Sequence, residues 1–132
     1  SKAKLHEWAL ENLRKTYDYS FTEVLSVEDE PEVFNVAATP DQDNHALIVL
    51  LPERLEEMSK LVKGKLAIAI PCTNFVTFLR ADRLADPVEV QRLYSYTKEF
   101  QDHTMEHKKL TKEFIYLQKG SSFEVFPMDY LD

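Results

Sequence analysis

The stretch that decides the fold is GKLAIAIPCTNFVTFLR, residues 64 to 80. Two apolar runs, Leu66 to Ile70 and Phe75 to Leu79, flank a turn-like segment from Pro71 to Asn74. Short apolar runs that are bounded by turn residues are typical of a β-hairpin with buried strands. We therefore predict that this segment is the central hairpin of a sheet and that the other elements are arranged around it.

On either side of this hairpin, helical and strand-like patterns alternate along the chain. The predicted helices span Lys2 to Thr16, Glu53 to Lys63 and Asp86 to about His107. Further predicted strands span Phe21 to Val27, Val33 to Ala38, Phe114 to Leu117 and Phe123 to Phe126. A helix thus precedes a hairpin three times. This order predicts a single α+β domain over residues 1–132, with a largely antiparallel sheet of three hairpins and helices packed on one face.

Two segments carry specific expectations. The run Ala46 to Leu51 is ambiguous: its β-branched residues and the following Pro52 favour a strand, whereas a polar cap before it favours a bent helix. In the first helix, the apolar stripe that contains Leu5 and Trp8 predicts a buried face. We expect Trp8 to be a core anchor, because a large ring on an apolar stripe usually packs against a sheet.

Composition limits the class of protein. The 132 residues are 44% hydrophobic and 11% aromatic, as in a packed globular domain. A net charge of −7 argues against nucleic-acid binding, which requires clustered Lys and Arg. The longest apolar run ends at Pro52, far short of the roughly 20 residues that cross a bilayer, so no membrane association is expected. Cys72 is the only cysteine, which excludes a disulfide within the chain and favours a cytoplasmic location.

The segment Gly64 to Pro71 resembles the YtpQ-like family of bacterial proteins of unknown function. Members of that family have a similar helix, then a Gly, a Leu-containing strand ending in Pro, a short turn and a second apolar strand. Other similar segments are Asn12–Leu13, the strand Glu32 to Ala38, Ala46 and the final hairpin, Phe114 to Phe126. The resemblance covers most of this chain and the C-terminal half of a typical member. It implies a bacterial, intracellular α+β domain and brings no established activity or cofactor.

Residues His103 to His107 read H-x-x-E-H, the pattern of the inverted zinc proteases. Histidines four residues apart share a helix face and can bind one zinc ion, while Glu106 would activate a bound water. The third ligand would have to come from Glu113, Glu124, Asp129 or Asp132. His103, Glu106 and His107 are therefore candidate metal ligands, and a solvated helix end is the favoured alternative.

The remaining chemical candidates are few. Cys72 could be a nucleophile, but no feature of the sequence indicates a base beside it. We therefore favour a thiol that packs at the end of a strand. Two glycines in the whole chain exclude a glycine-rich phosphate loop. We assign no catalytic residue and no cofactor.

Several aromatic residues could line a groove for a peptide or form the core. They are Tyr94, Tyr96, Phe100, Phe114 and Tyr116. Core is the favoured interpretation, except for Tyr96, which lies off the main stripe of its helix and is expected at the surface. Tyr96, together with Thr73 and Asn74 of the central turn, forms a candidate interaction surface.

The sequence thus favours a non-catalytic protein- or peptide-binding module. Its acidic charge suits a basic protein or peptide as the partner. Two alternatives stay open. One is a small zinc-dependent hydrolase that uses the H-x-x-E-H segment, and the other is a structural domain of a longer protein.

Overall fold

The computed structural model describes residues 1–27, 30–39, 44–110 and 113–127. Its strands are β1 (Asp18–Val27), β2 (Glu30–Thr39), β3 (Leu66–Cys72), β4 (Phe75–Arg80), β5 (Ile115–Lys119) and β6 (Ser122–Val125). Its α-helices are α1 (Lys2–Thr16), α2 (Pro52–Val62) and α3 (Pro87–His103). The strands form one sheet in the order β1-β2-β4-β3-β5-β6, and every neighbouring pair is antiparallel. The prediction of an α+β fold with an antiparallel sheet is confirmed.

The central hairpin lies in the middle of this sheet, as predicted. Every residue of β3 is buried, and so are the four inner residues of β4. The turn is shorter than expected, because Cys72 pairs with Phe75 and only Thr73 and Asn74 lie between the strands. Pro71 belongs to β3 and lies where the pairing register shifts, between Ala69 and Cys72. Proline cannot donate to the strand ladder, so it is accommodated at such an irregularity.

Helices cover both faces of the sheet, and the prediction that they pack on one face is wrong. Leu66 and Ile68 of β3 belong to the same buried cluster as Met58 of α2. Ala67, between them, belongs to a second cluster with Val90 of α3. Because successive side chains of a strand point to opposite faces, α2 and α3 lie on opposite sides. Strands that are apolar without alternation must be covered on both faces, which is the physical reason for the correction.

Helix α1 lies at the periphery, and the expectation that Trp8 anchors the core is wrong. The side chains of Leu5 and Trp8 are 66% and 67% exposed, whereas Leu10 is buried. The helix is also tied to α2 by an ion pair of 2.6 Å between Arg14 Nε and Glu53 Oε1. Periodicity predicts that a helix has an apolar stripe, but the stripe is buried only where a partner element reaches it.

The segment that the sequence left ambiguous is neither a strand nor an α-helix. A 3₁₀ helix spans His45–Leu50, with Ile48 fully buried, and Pro52 then opens α2. A second 3₁₀ helix, Ala81–Ala85, connects β4 to α3. In the part of the chain that is described, no helix combines the length and apolar character that a bilayer crossing requires.

Candidate functional site

A pocket of about 370 Å³ opens between the β3–β4 turn and the last turns of α3, and we call it the α3–turn pocket. It is lined by Cys72, Asn74, Phe75, Glu99, Phe100, His103 and Thr104. The two walls are held together by Gln101, whose Nε2 donates to the carbonyl oxygen of Pro71 at 2.9 Å. The volume lies at the small end of the range of about 300–1,000 Å³ that ligand pockets occupy.

One wall of the pocket continues into an aromatic cluster of Phe75, Tyr96 and Phe100. The rings of Phe75 and Phe100 are stacked, with centroids 3.9 Å apart and planes inclined by 12°. Tyr96 packs edge-on against both rings, with its centroid 5.9 Å from that of Phe75 and 5.4 Å from that of Phe100. Phe100 is still 42% exposed. The cluster therefore offers an apolar ring surface to solvent at the rim of the pocket.

Tyr96 is less exposed than the sequence suggested. It is half-buried, and its hydroxyl accepts a hydrogen bond of 3.2 Å from Asn35 Nδ2 on β2. This contact fixes the outer face of α3 to the sheet. Tyr96 therefore supports the aromatic cluster and is not a freely projecting side chain.

The hydrogen bond of His103 defines what its imidazole offers to the pocket. His103 Nδ1 lies 2.8 Å from the backbone carbonyl oxygen of Glu99. Because a carbonyl oxygen can only accept, Nδ1 carries a proton, and in the neutral form of the ring Nε2 is then an acceptor. The carboxylate of Glu99 itself makes no ion pair or hydrogen bond with any residue that the structure describes. Both groups are thus acceptors at the pocket.

Asn74 contributes a third acceptor. Its Oδ1 is buried and has no hydrogen-bond partner among the described residues. A buried polar atom without a partner costs about 1–3 kcal/mol. Asn74 is placed by the turn between β3 and β4, whose other residue, Thr73, is held by a 2.9 Å bond from its N–H to the carbonyl oxygen of Lys108.

Cys72 forms the floor of the pocket and is a buried thiol. It is 1% exposed, and its burial raises the pKa of the thiol above the ordinary value. Hydrogen bonds from the Asn74 backbone and from the Thr104 side chain act in the opposite direction but are smaller effects. A thiol with a raised pKa stays protonated at neutral pH and is a poor nucleophile. This environment favours the packing interpretation of Cys72.

The geometric premise of the zinc hypothesis is wrong. Helix α3 ends at His103, Thr104 is extended, and a separate 3₁₀ turn spans Glu106–Lys108. The chain leaves the helix because this segment pairs with the end of β3, where Cys72 and Lys109 form a bridge. Glu106 Oε2 instead pairs with Lys109 Nζ at 3.1 Å.

Histidines at positions 103 and 107 therefore do not share a face of one helix. No group of three His, Cys, Asp or Glu residues suited to a metal ion occurs within the described ranges. The side chain of His107 and the predicted donors Asp129 and Asp132 lie outside them.

The pocket joins residues that the sequence singled out separately. Asn74 and His103 both line it, and Tyr96 adjoins it through the aromatic cluster. Thr73 lies in the same turn without lining the pocket. Sequence reasoning did not find Phe75 and Glu99 as site residues, and its preference for Phe100 as a core residue is wrong, because Phe100 is partly exposed and lines the pocket. Glu99 and Phe100 are four and three residues before His103, a spacing that places them near it on a helix and could have pointed to them.

Comparison of the chain with protein-family models, with curated proteins and with solved structures found no match. The functional assignment therefore rests on the geometry and chemistry of the α3–turn pocket.

Proposed function

We propose that this chain is a non-catalytic protein- or peptide-binding module whose partner, a basic protein or peptide, docks at the α3–turn pocket. The observation that carries the proposal is the partly exposed Phe100, stacked on Phe75 at the rim of a pocket with unpaired acceptors. Exposed aromatic residues beside a concavity are the usual anchors of recognition sites.

The charge of the protein supports a basic partner. The net charge is −7, and the carboxylate of Glu99 stands at the pocket. An acidic surface attracts a basic partner over several ångströms and raises the rate at which the two meet. Binding should accordingly weaken when salt is raised from low to physiological strength.

The test is a screen of a basic peptide library against the purified protein, followed by titration of the bound peptides by NMR. Backbone shifts should concentrate at residues 72–75 and 99–104. Phe100→Ala should reduce affinity by about tenfold or more, because a truncated anchor costs upwards of 1 kcal/mol. Val88→Ala is the matched control, since Val88 is an exposed apolar residue at the other end of α3.

Two results would contradict the proposal. One is a set of bound peptides whose affinity does not respond to Phe100→Ala, and the other is a library from which no peptide binds. An affinity that is independent of salt would remove only the electrostatic part.

We also propose that the chain is related to the C-terminal half of the YtpQ-like family, and hence is a bacterial, cytoplasmic domain. The support is the likeness at Gly64 to Pro71 and at the final hairpin. The alternative role, as a structural domain of a longer protein, belongs to this proposal. The structure of a family member provides the test: it should have the strand order β1-β2-β4-β3-β5-β6 in its C-terminal half, and another order would remove the relationship.

A further inference from the structure

The polar side chains at the α3–turn pocket include three that can accept hydrogen bonds, and one of them, Glu99, is a carboxylate. Glu99 offers a carboxylate, Asn74 the carbonyl oxygen of an amide that also has donors, and His103 an Nε2 that accepts in the neutral form of the ring. All three accept hydrogen bonds. The complementary ligand is a group with several N–H donors and a positive charge.

The aromatic cluster adds a second requirement, on the shape of that group. Phe100 lies beside Glu99 in α3, and both line the same pocket. A flat cation can stack on an exposed ring and at the same time direct donors at acceptors in its own plane. The ring and the three acceptors together therefore select a planar cation over a spherical one.

We infer that the α3–turn pocket binds the guanidinium group of an arginine side chain of the partner, an inference that rests on the proposed function. Guanidinium is planar, carries five N–H donors in a fixed fork and stacks on aromatic rings. The ammonium of a lysine has three donors on a single point charge and cannot stack in this way.

The positive charge of Lys108 does not make the pocket an anion site. This charge lowers the pKa of the Cys72 thiol in the pocket lining, and it is the smallest of the effects on that pKa. An anionic group in the pocket would face the carboxylate of Glu99, and no lysine or arginine is among the residues that line the pocket. Arginine is therefore favoured over an acidic or phosphorylated residue.

The probe is a blocked pentapeptide with a central arginine between pairs of glycines, titrated into the isotope-labelled protein. Matched peptides carry lysine, citrulline or norleucine at the centre. Citrulline keeps the planar shape but has no charge. The arginine peptide should shift resonances of residues 72–75 and 99–104 and bind about tenfold more tightly than the citrulline peptide, since a charge-assisted hydrogen bond is roughly twice as strong as a neutral one.

Variants of the pocket separate its contributions. Glu99→Gln should lower the affinity for the arginine peptide by about tenfold. Glu56→Gln is the matched control, because it removes one exposed carboxylate from α2, on the other face of the sheet, and should change nothing. Asn74→Asp should strengthen binding of the arginine peptide, and Asn74→Leu should weaken it. A pocket that takes an anion would respond to Asn74→Asp in the opposite direction.

The inference is overturned by equal affinity for the arginine and citrulline peptides, by shifts that lie elsewhere, or by no shift up to about 10 mM peptide. These results are distinguishable from failure of the proposed function. If library peptides still bind at the pocket, with or without arginine, the binding function stands and only the guanidinium specificity is lost. If neither the library nor the pentapeptides bind, both fail.

Discussion

Gln101 and Pro71 are joined by a buried hydrogen bond in which the side-chain amide of α3 donates to the backbone carbonyl of β3 at 2.9 Å. The same Nε2 lies 3.4 Å from the carbonyl oxygen of Leu110. Gln101 is only 4% exposed, so it is a polar residue placed in the core at the point where the ladder of β3 is irregular. It links the helix that forms one wall of the pocket to the strand that forms the other.

Replacing Gln101 by Leu should therefore destabilise the protein by about 0.5–1.5 kcal/mol, because the carbonyl oxygen of Pro71 loses one of its two donors and keeps only the N–H of Leu110 at 3.1 Å. Unfolding in urea, followed by circular dichroism, measures this as a lower midpoint with an unchanged slope. Gln91→Leu is the control, since Gln91 lies on the exposed side of the same helix and, among the described residues, its side chain bonds only Ser95, at 3.1 Å. Its effect should stay within about 0.5 kcal/mol. Equal midpoints for the two variants would show that the Gln101 contact contributes nothing.

The fold could be predicted as far as local patterns determine it. The central hairpin followed from two apolar runs, and the start of α3 followed from Asp86, whose side chain accepts from the N–H of Val88 at 3.0 Å. Gly120 has the positive φ of 60° that the last hairpin required. In each case the deciding interactions lie within a few residues of one another, so the sequence alone contains them.

The features that were predicted wrongly from the sequence depend on contacts between segments that are distant along the chain. α3 stops at His103 because the chain that follows pairs with β3, which no local pattern reports. α1 exposes Trp8 because none of the elements that the structure describes covers that part of its stripe. The same holds for the site: His103 and Asn74 were noted as separate signals, and only the packing of α3 on the hairpin brings them to one pocket. Residue type indicated the chemistry, but tertiary structure determined the partners.

Gly64 is needed where β3 begins because of the close approach of Arg80. A Cβ atom on Gly64 would lie 2.9 Å from Arg80 Cδ, and the guanidinium of Arg80 is itself held by Asp82 at 2.7 Å. We expect Gly64→Ala to cost about 1–3 kcal/mol through overpacking. In an Arg80→Ala background most of that cost should disappear, which a double-mutant cycle of unfolding free energies measures.

Gly120 provides the control for this cycle. It has a positive φ, and a Cβ atom added to it would have no described heavy atom within 4 Å beyond its chain neighbours. Gly120→Ala should therefore cost about 1 kcal/mol, from backbone strain alone. That cost should be the same with and without Arg80. If Gly64→Ala behaved like Gly120→Ala in both backgrounds, the steric explanation would be wrong.

The raised pKa of the Cys72 thiol makes stability depend on alkaline pH. In the unfolded chain the thiol ionises near its ordinary value of about 8.5, whereas in the folded protein burial keeps it protonated to higher pH. Between these two pKa values the unfolded state binds fewer protons, so the free energy of unfolding falls as pH rises, by at most about 1.4 kcal/mol per pH unit. Below the unfolded value this contribution is fully present.

Cys72→Ala isolates the effect from that of other groups that titrate in the same range. The difference in unfolding free energy between wild type and Cys72→Ala should be constant below about pH 8 and should then shrink or reverse as pH rises. Urea unfolding at a series of pH values measures it. Two curves that stay parallel to about pH 10 would mean that folding does not change the ionisation of the thiol.

The two halves of α1 should respond differently to the same substitution. Leu5 and Leu10 are both leucines of α1, but Leu5 is 66% exposed and Leu10 is 7% exposed. Leu5→Ala should change the unfolding free energy by no more than about 0.5 kcal/mol. Leu10→Ala should cost about 2 kcal/mol or more, because it removes buried methyl groups and leaves a cavity.

Trp8 allows the same point to be checked without mutation, since it is the only tryptophan in the chain. At 67% exposure, its fluorescence should resemble that of an indole in water, and iodide should quench the folded and the urea-unfolded protein to nearly the same extent. A blue-shifted emission that moves to the red on unfolding would place Trp8 in an apolar environment. Taken with a large loss of stability in Leu5→Ala, that result would mean that the first turns of α1 are covered, and the peripheral position of the helix would be wrong.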